Sequence, residues 1–308
     1  MATRTRFPVD RGLTARMMTT VFLLGLLYAL FVTVLFLIHL PVLLVILIPC
    51  ALLGAQYFFS DKIALYSMGG KLVTREQAPQ LHGVVDRLCA MADMPKPAVA
   101  IANIDMPNAF ATGRDQKHAV VCVTSGILRR LDEPELEAVL AHELSHVAHR
   151  DVAVMTVASF LGILAGMLTR VLAYAGLFGG FGESRDNQGG GQAALFELGL
   201  LAFSAVVYAI SFVLIRALSR YRELAADSSG AILIGQPRLL AQALVKVSGE
   251  MSRIPTRDLR SAEHFNAFFF APAFAKGVSL SSVFSTHPSL ERRLQQLTEL
   301  EAQMSRPA

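Results

Sequence analysis

Between Met17 and Ser60 the chain carries no Asp, Glu, Lys or Arg. An apolar run of that length fills two bilayer crossings of about 20 residues each. Lipid offers no partner to backbone N–H and C=O groups, so such a run must be helical. His39-Leu40-Pro41 is its only turn-like break, which predicts a helical hairpin, about Met18–Ile38 and Pro41–Phe59, with Pro49 kinking the second helix. Two further apolar stretches, Val152–Leu177 and Leu198–Ile215, flank a polar, Gly-rich loop that runs to Gly191. They read as a second hairpin that inserts, with Arg170 near one end and Glu197 just before the other; packing on the protein itself is the other arrangement. With 53% hydrophobic residues against 17% charged, the chain is too apolar for an ordinary soluble enzyme. The first run is too long for a removable signal peptide and lacks a small-residue cleavage site, so it is expected to be retained as an anchor.

The positive charges predict orientation. Arg4, Arg6, Arg11 and Arg16 precede the first span, Lys62, Lys71 and Arg75 follow the hairpin, and Arg216, Arg220 and Arg222 follow the last span. The Gly-rich loop carries only Arg185. The positive-inside rule then puts the N-terminus, both polar segments and the C-terminus in the cytoplasm. The expected organisation is a cytoplasmic N-terminus (1–16), a transmembrane hairpin (17–60), the first part of a catalytic domain (61–151), a second hydrophobic hairpin (152–215) and the rest of that domain (216–308). The net charge of +4 calls for anionic lipid as a partner and for no nucleic acid. Cys50, Cys89 and Cys122 are scattered and have no metal-ligand spacing, so they read as reduced thiols.

The chemistry lies between the two apolar pairs, in His142-Glu143-Leu144-Ser145-His146. On a helix, two histidines at i and i+4 share a face and can bind one Zn²⁺, while the intervening glutamate can take a proton from the attacking water. Asp132-Glu133-Pro134-Glu135 supplies the start of that helix: a capping aspartate, a proline in the first turn and an acid three residues after the cap. Leu136, Val139, Leu140, Leu144 and Val147 then recur at helical spacing.

Two histidines leave a catalytic zinc one protein ligand short. Glu223 and Asp227 stand at i and i+4 and share a helix face, so one could bind the metal and the other hold a ligand histidine by its far nitrogen. Spacing alone equally allows both to pair with Arg220 and Arg222 on a solvated surface. The other histidines (His39, His82, His118, His149, His264) read as structural.

Asn108-Ala109-Phe110-Ala111-Thr112-Gly113, the His142–His146 motif, Ser219-Arg220 with Glu223 and Asp227, and Ser285-Thr286-His287-Pro288 followed by Arg293 occur in that order. Together they resemble the HtpX family of integral membrane zinc metallopeptidases, related to the CAAX prenyl endopeptidases. The resemblance covers nearly the whole chain. It implies a mainly α (α+β) protein: transmembrane helices plus a zincin-like catalytic domain with a small β-sheet. It further implies one Zn²⁺ held by His142, His146 and Glu223, with Glu143 as general base and Asp227 behind the ligands. Asn108, Ala109, Phe110, Ala111 and Thr112 would form an edge strand that pairs with extended substrate. His287 would donate to the developing oxyanion, and Arg293 would support the site or the substrate. The implied role is quality control and stress response, cutting misfolded or damaged membrane proteins at the cytoplasmic side, with cleavage of its own copies also expected. A prenyl- or peptide-processing protease and a catalytically silent membrane scaffold or holdase are the alternatives. Four spans and a small insertion argue against the first, and the complete ligand set with Glu143 argues against the second.

Overall fold

The computed structural model describes residues 11–37, 42–179, 190–251 and 287–305. The His39–Pro41 turn, the centre of the Gly-rich loop, the Phe-rich stretch 253–286 and Ser285-Thr286 lie outside the described residues. The chain divides into two compact units. One comprises Met18–Ala55 and Met155–Ile215; the other comprises Met1–Met17, Gln56–Val154 and Arg216–Ala308.

The apolar unit draws on α1 (Arg11–Leu37), α2 (Val42–Phe58), α7 (Asp151–Gly179) and α8 (Gly190–Ile234). Phe31 and Leu35 pack with Leu164, Ala165 and Leu168 of α7 and with Leu200 and Val207 of α8. Most of its other side chains are apolar and exposed, Phe22, Phe36 and Val157 among them, the pattern of a surface made for lipid rather than water. Among the described residues three helices are long and apolar enough to cross a membrane: Thr14–Leu37, Asp151–Ala173 and a stretch within Leu195–Ile234. The fourth apolar segment, α2, spans 17 residues, at the lower limit of a crossing. The span at 198–215 and the helix face that carries Glu223 and Asp227 belong to a single 45-residue helix. No Gly or Pro interrupts 200–229, so nothing in the sequence stops the helix where hydrophobicity gives way to charge.

The other unit is α+β. α3 (Ser60–Ser67) leads to β1 (Gly70–Leu72), followed by α4 (Pro79–Ala92), β2 (Ala98–Ala102), β3 (Ala109–Thr112), β4 (Val120–Thr124) and α5 (Ser125–Arg130). Next come α6 (Glu133–Ala148) and, after the apolar helices, α9 (Pro237–Met251) and α10 (Leu290–Met304). The sheet order is β1-β2-β4-β3, with β2 and β4 parallel and both outer pairings antiparallel. All five residues of β4 are buried, as a central strand requires. This mainly helical architecture with a small mixed sheet is the fold class expected from the sequence.

α6 begins as its sequence dictates. The Asp132 carboxylate accepts from Glu135 N at 3.0 Å, and Glu135 accepts from Asp132 N at 3.2 Å, a complete capping box. Glu135 is also buried and paired with Lys246 of α9 at 2.5 Å, which ties the start of the motif helix to its neighbour. Cys89 and Cys122 are free and buried, and burial pushes their pKa values up to about 11 and about 12, so neither is a reactive thiolate.

Candidate active site

The i, i+4 spacing on α6 brings His142 Nε2 and His146 Nε2 to 3.2 Å from each other. α8 supplies the third group: Glu223 Oε1 lies 3.5 Å from His146 Nε2, and Oε2 lies 3.8 Å from His142 Nε2. One ligand atom from each residue falls within 4.8 Å of the others. Gly230 permits this close approach of α8 to α6, since a Cβ there would stand 2.7 Å from His142 N and 2.9 Å from its Cα.

The outer nitrogens of both imidazoles face carboxylates. Asp227 Oδ1 lies 2.9 Å from His142 Nδ1, and Asp151 Oδ2 lies 2.6 Å from His146 Nδ1. A carboxylate only accepts, so it holds the proton on Nδ1 and leaves Nε2 as a lone pair. Two lone pairs 3.2 Å apart beside a buried carboxylate repel one another unless a proton or a metal cation sits between them. The donor set therefore fits a divalent metal, and two imidazoles with one carboxylate are the protein ligands of a common class of catalytic zinc site.

Asp227 is fully buried. Arg293, 1% exposed, grips both of its oxygens through Nε at 2.7 Å and a terminal nitrogen at 2.6 Å. That geometry sets Arg293 against Asp227, on the Nδ1 side of His142, and separates the two carboxylates that spacing could not distinguish. Neither lies on a solvated surface, and Arg222 pairs with Asp151 at 2.9 Å instead. Ser289 caps α10 by accepting from Arg292 N, and His287 stands just before it with Nδ1 3.1 Å from Glu223 Oε2. Sequence reasoning missed Asp151 and Arg222. The available signals were an acid a turn beyond His146, at the break between two helices, and an arginine immediately before Glu223.

Glu143 is not part of that donor group. Its Oε2 accepts from Ala111 N at 2.9 Å. β3 is an edge strand, and Asn108 O accepts from Thr124 N across the ladder. By antiparallel alternation Asn108, Phe110 and Thr112 turn their backbone groups toward β4, while Ala109 and Ala111 turn theirs outward. Burial is the largest influence on Glu143. With the charge of Glu223 it raises the pKa to about 7, against the opposing pull of His146, Ala111 N–H and Arg293. Burial also lowers His142. It pulls His146 the same way but is outweighed there by Asp151, Glu223 and Glu143, so His146 rises.

Residues 75–301 match the profile of Peptidase family M48. The chain belongs to this family. Protease HtpX homolog 1 of Streptomyces coelicolor is 58% identical over 302 residues, covering 98% of this chain and 97% of that protein. Protease HtpX homolog of Moorella thermoacetica is 53% identical, covering 96% of each. In fold the M48 chain is similar to Ste24p of S. mikatae, with a TM-score of 0.51 at 16% identity over 96% of this chain and 68% of that one. The family, the relatives and the apolar helices make this M48 protein a membrane metalloprotease, and His142, His146 and Glu223 form a possible metal site for it.

Proposed function

We propose that this chain is a zinc-dependent endopeptidase that cuts misfolded or damaged membrane proteins on the cytoplasmic side of a bacterial-type inner membrane, in protein quality control. One observation carries the reading: Glu143 shares a helix with His142 and His146 while its carboxylate touches the outward N–H of an edge strand. An extended polypeptide that adds to β3 through Ala109 and Ala111 would bring a peptide bond to Glu143 and the ligands together.

His142 Nε2, His146 Nε2 and a Glu223 oxygen would hold the zinc. When bound, zinc supplies Lewis acidity to the scissile carbonyl and makes water a better nucleophile at neutral pH. Glu143 takes a proton from the attacking water and delivers it to the departing amine. His287 is held through Nδ1 by Glu223, and with a proton on both ring nitrogens its other N–H would donate to the oxygen that gains charge during attack. The positive charges flanking the apolar segments support a cytoplasmic site. An endopeptidase accepting any exposed strand would also cut copies of itself.

The test compares Glu223→Ala with Asp227→Ala in zinc content and in cleavage of unfolded casein. Glu223→Ala is expected to strip the metal, and Asp227→Ala to weaken affinity about 10–100-fold, the usual cost of losing a ligand's supporting contact. Reversed results would exchange the two roles. A parent chain without stoichiometric zinc would favour the silent scaffold.

A further inference from the structure

The two histidines of the motif are backed alike. Behind His142 stand Asp227 and then Arg293; behind His146 stand Asp151 and then Arg222. The i, i+4 relation of Glu223 and Asp227 points to the first chain. The second joins residues that no motif connects. Asp151 lies beyond Arg150, a non-glycine residue in the left-handed region at φ 55, and Arg222 comes from α8.

We infer that Asp151 and Arg222 are positioning residues for the metal centre. Asp151 keeps the proton of His146 on Nδ1 and so keeps Nε2 aimed at the other donors. Arg222 holds Asp151 in place. The inference rests on the reading of His142, His146 and Glu223 as ligands.

Three observations carry it. Asp151 is buried, and one of its oxygens, Oδ2, meets both His146 Nδ1 at 2.6 Å and Arg222 at 2.9 Å. A carboxylate oxygen wedged between two donors is fixed in position and fixes the imidazole that it faces. The strained Arg150 turn lets the chain leave α6 and still return Asp151 to His146; strain of this kind persists where the surroundings require it. Arg222 is itself largely buried, and its Nε has no partner among the described residues. A guanidinium held there at a cost, with Asp151 as its ion-pair partner, is explained by what it does to Asp151. Asp151 opens α7 and Arg222 belongs to α8, so the contact joins residues from two helices that are far apart in sequence.

The experiment uses the full chain in detergent. It reads zinc affinity by chelator competition and the visible absorption of the Co²⁺-loaded protein, which reports ligand geometry. Asp151→Ala should lower zinc affinity about 10–100-fold and change the cobalt spectrum. Asp151→Asn should lose less, because its amide oxygen still accepts from Nδ1–H and from Arg222. Arg222→Gln should fall between the parent and Asp151→Ala. If Asp151→Ala strands the arginine and misfolds, Asp151→Ala with Arg222→Leu removes both charges and should show the same loss of affinity in a folded chain. Parental affinity and an unchanged cobalt spectrum in that double variant, or an Asn variant weaker than the Ala variant, would overturn the inference alone. A parent whose zinc uptake does not depend on Glu223 would overturn the ligand reading and this inference with it, and that result is distinct from uptake that ignores Asp151.

Discussion

Glu143→Gln should raise stability and remove activity in the same chain. Burial and the charge of Glu223 lift the Glu143 pKa from the ordinary 4.5 to about 7. Between those values the folded, metal-free chain holds a proton that the unfolded chain releases. The folded state binds more protons, so stability falls as pH rises through that window. At about 1.4 kcal/mol for each factor of ten, the cost above pH 7 comes to about 3 kcal/mol. Glutamine has the same length and can still accept from Ala111 N, but it never ionises. Chelator-stripped parent and variant should therefore unfold in urea at similar midpoints at about pH 4. At pH 8 the variant should be more stable by about 3 kcal/mol. Zinc should narrow the gap, because a cation in the site favours the ionised carboxylate in the parent. The zinc-loaded variant should retain the metal and lose about 10²–10⁴-fold in casein cleavage. Equal stability of the two stripped proteins at pH 8 would refute the buried-carboxylate argument. Near-parental cleavage would remove Glu143 from the chemistry.

Gly230→Ala should separate the helices that carry the ligands, since the added methyl meets the His142 backbone at 2.7 Å. Zinc affinity should drop at least about tenfold and stability by about 1–3 kcal/mol, the range for an overpacked contact; unchanged chelator competition would show that α8 does not need this approach. Cysteines placed at Asp115 and Gln303 should label from the cytoplasmic side, and one at Gly190 from the opposite side. Cytoplasmic labelling at Gly190 would show that α7 and α8 form a hairpin that does not cross.

Features that depend on neighbours in the chain were legible before any coordinates. The uncharged run 17–60, the capping box at Asp132 and Glu135 and the shared face of His142 and His146 follow from bilayer thickness, orphan N–H groups and the 3.6-residue turn. Each is set within a few residues or by hydrophobicity alone, so the sequence by itself determined an apolar helical chain with a metal-binding helix.

Only the tertiary structure decided what each remaining charge does. Glu223 and Asp227 are equivalent by spacing, and the bidentate grip of Arg293, 66 residues from Asp227 in sequence, occupies one of them and leaves Glu223 beside the two histidines. The same holds for Asp151 and Arg222, whose pairing joins the first residue of α7 to a residue of α8 far along the chain. The outward turn of Ala111 toward Glu143 depends on the strand order β1-β2-β4-β3, which leaves β3 at the edge. Helical periodicity and capping are local, whereas the partner of a buried charge is selected by desolvation across the whole fold, and no window of sequence contains that information.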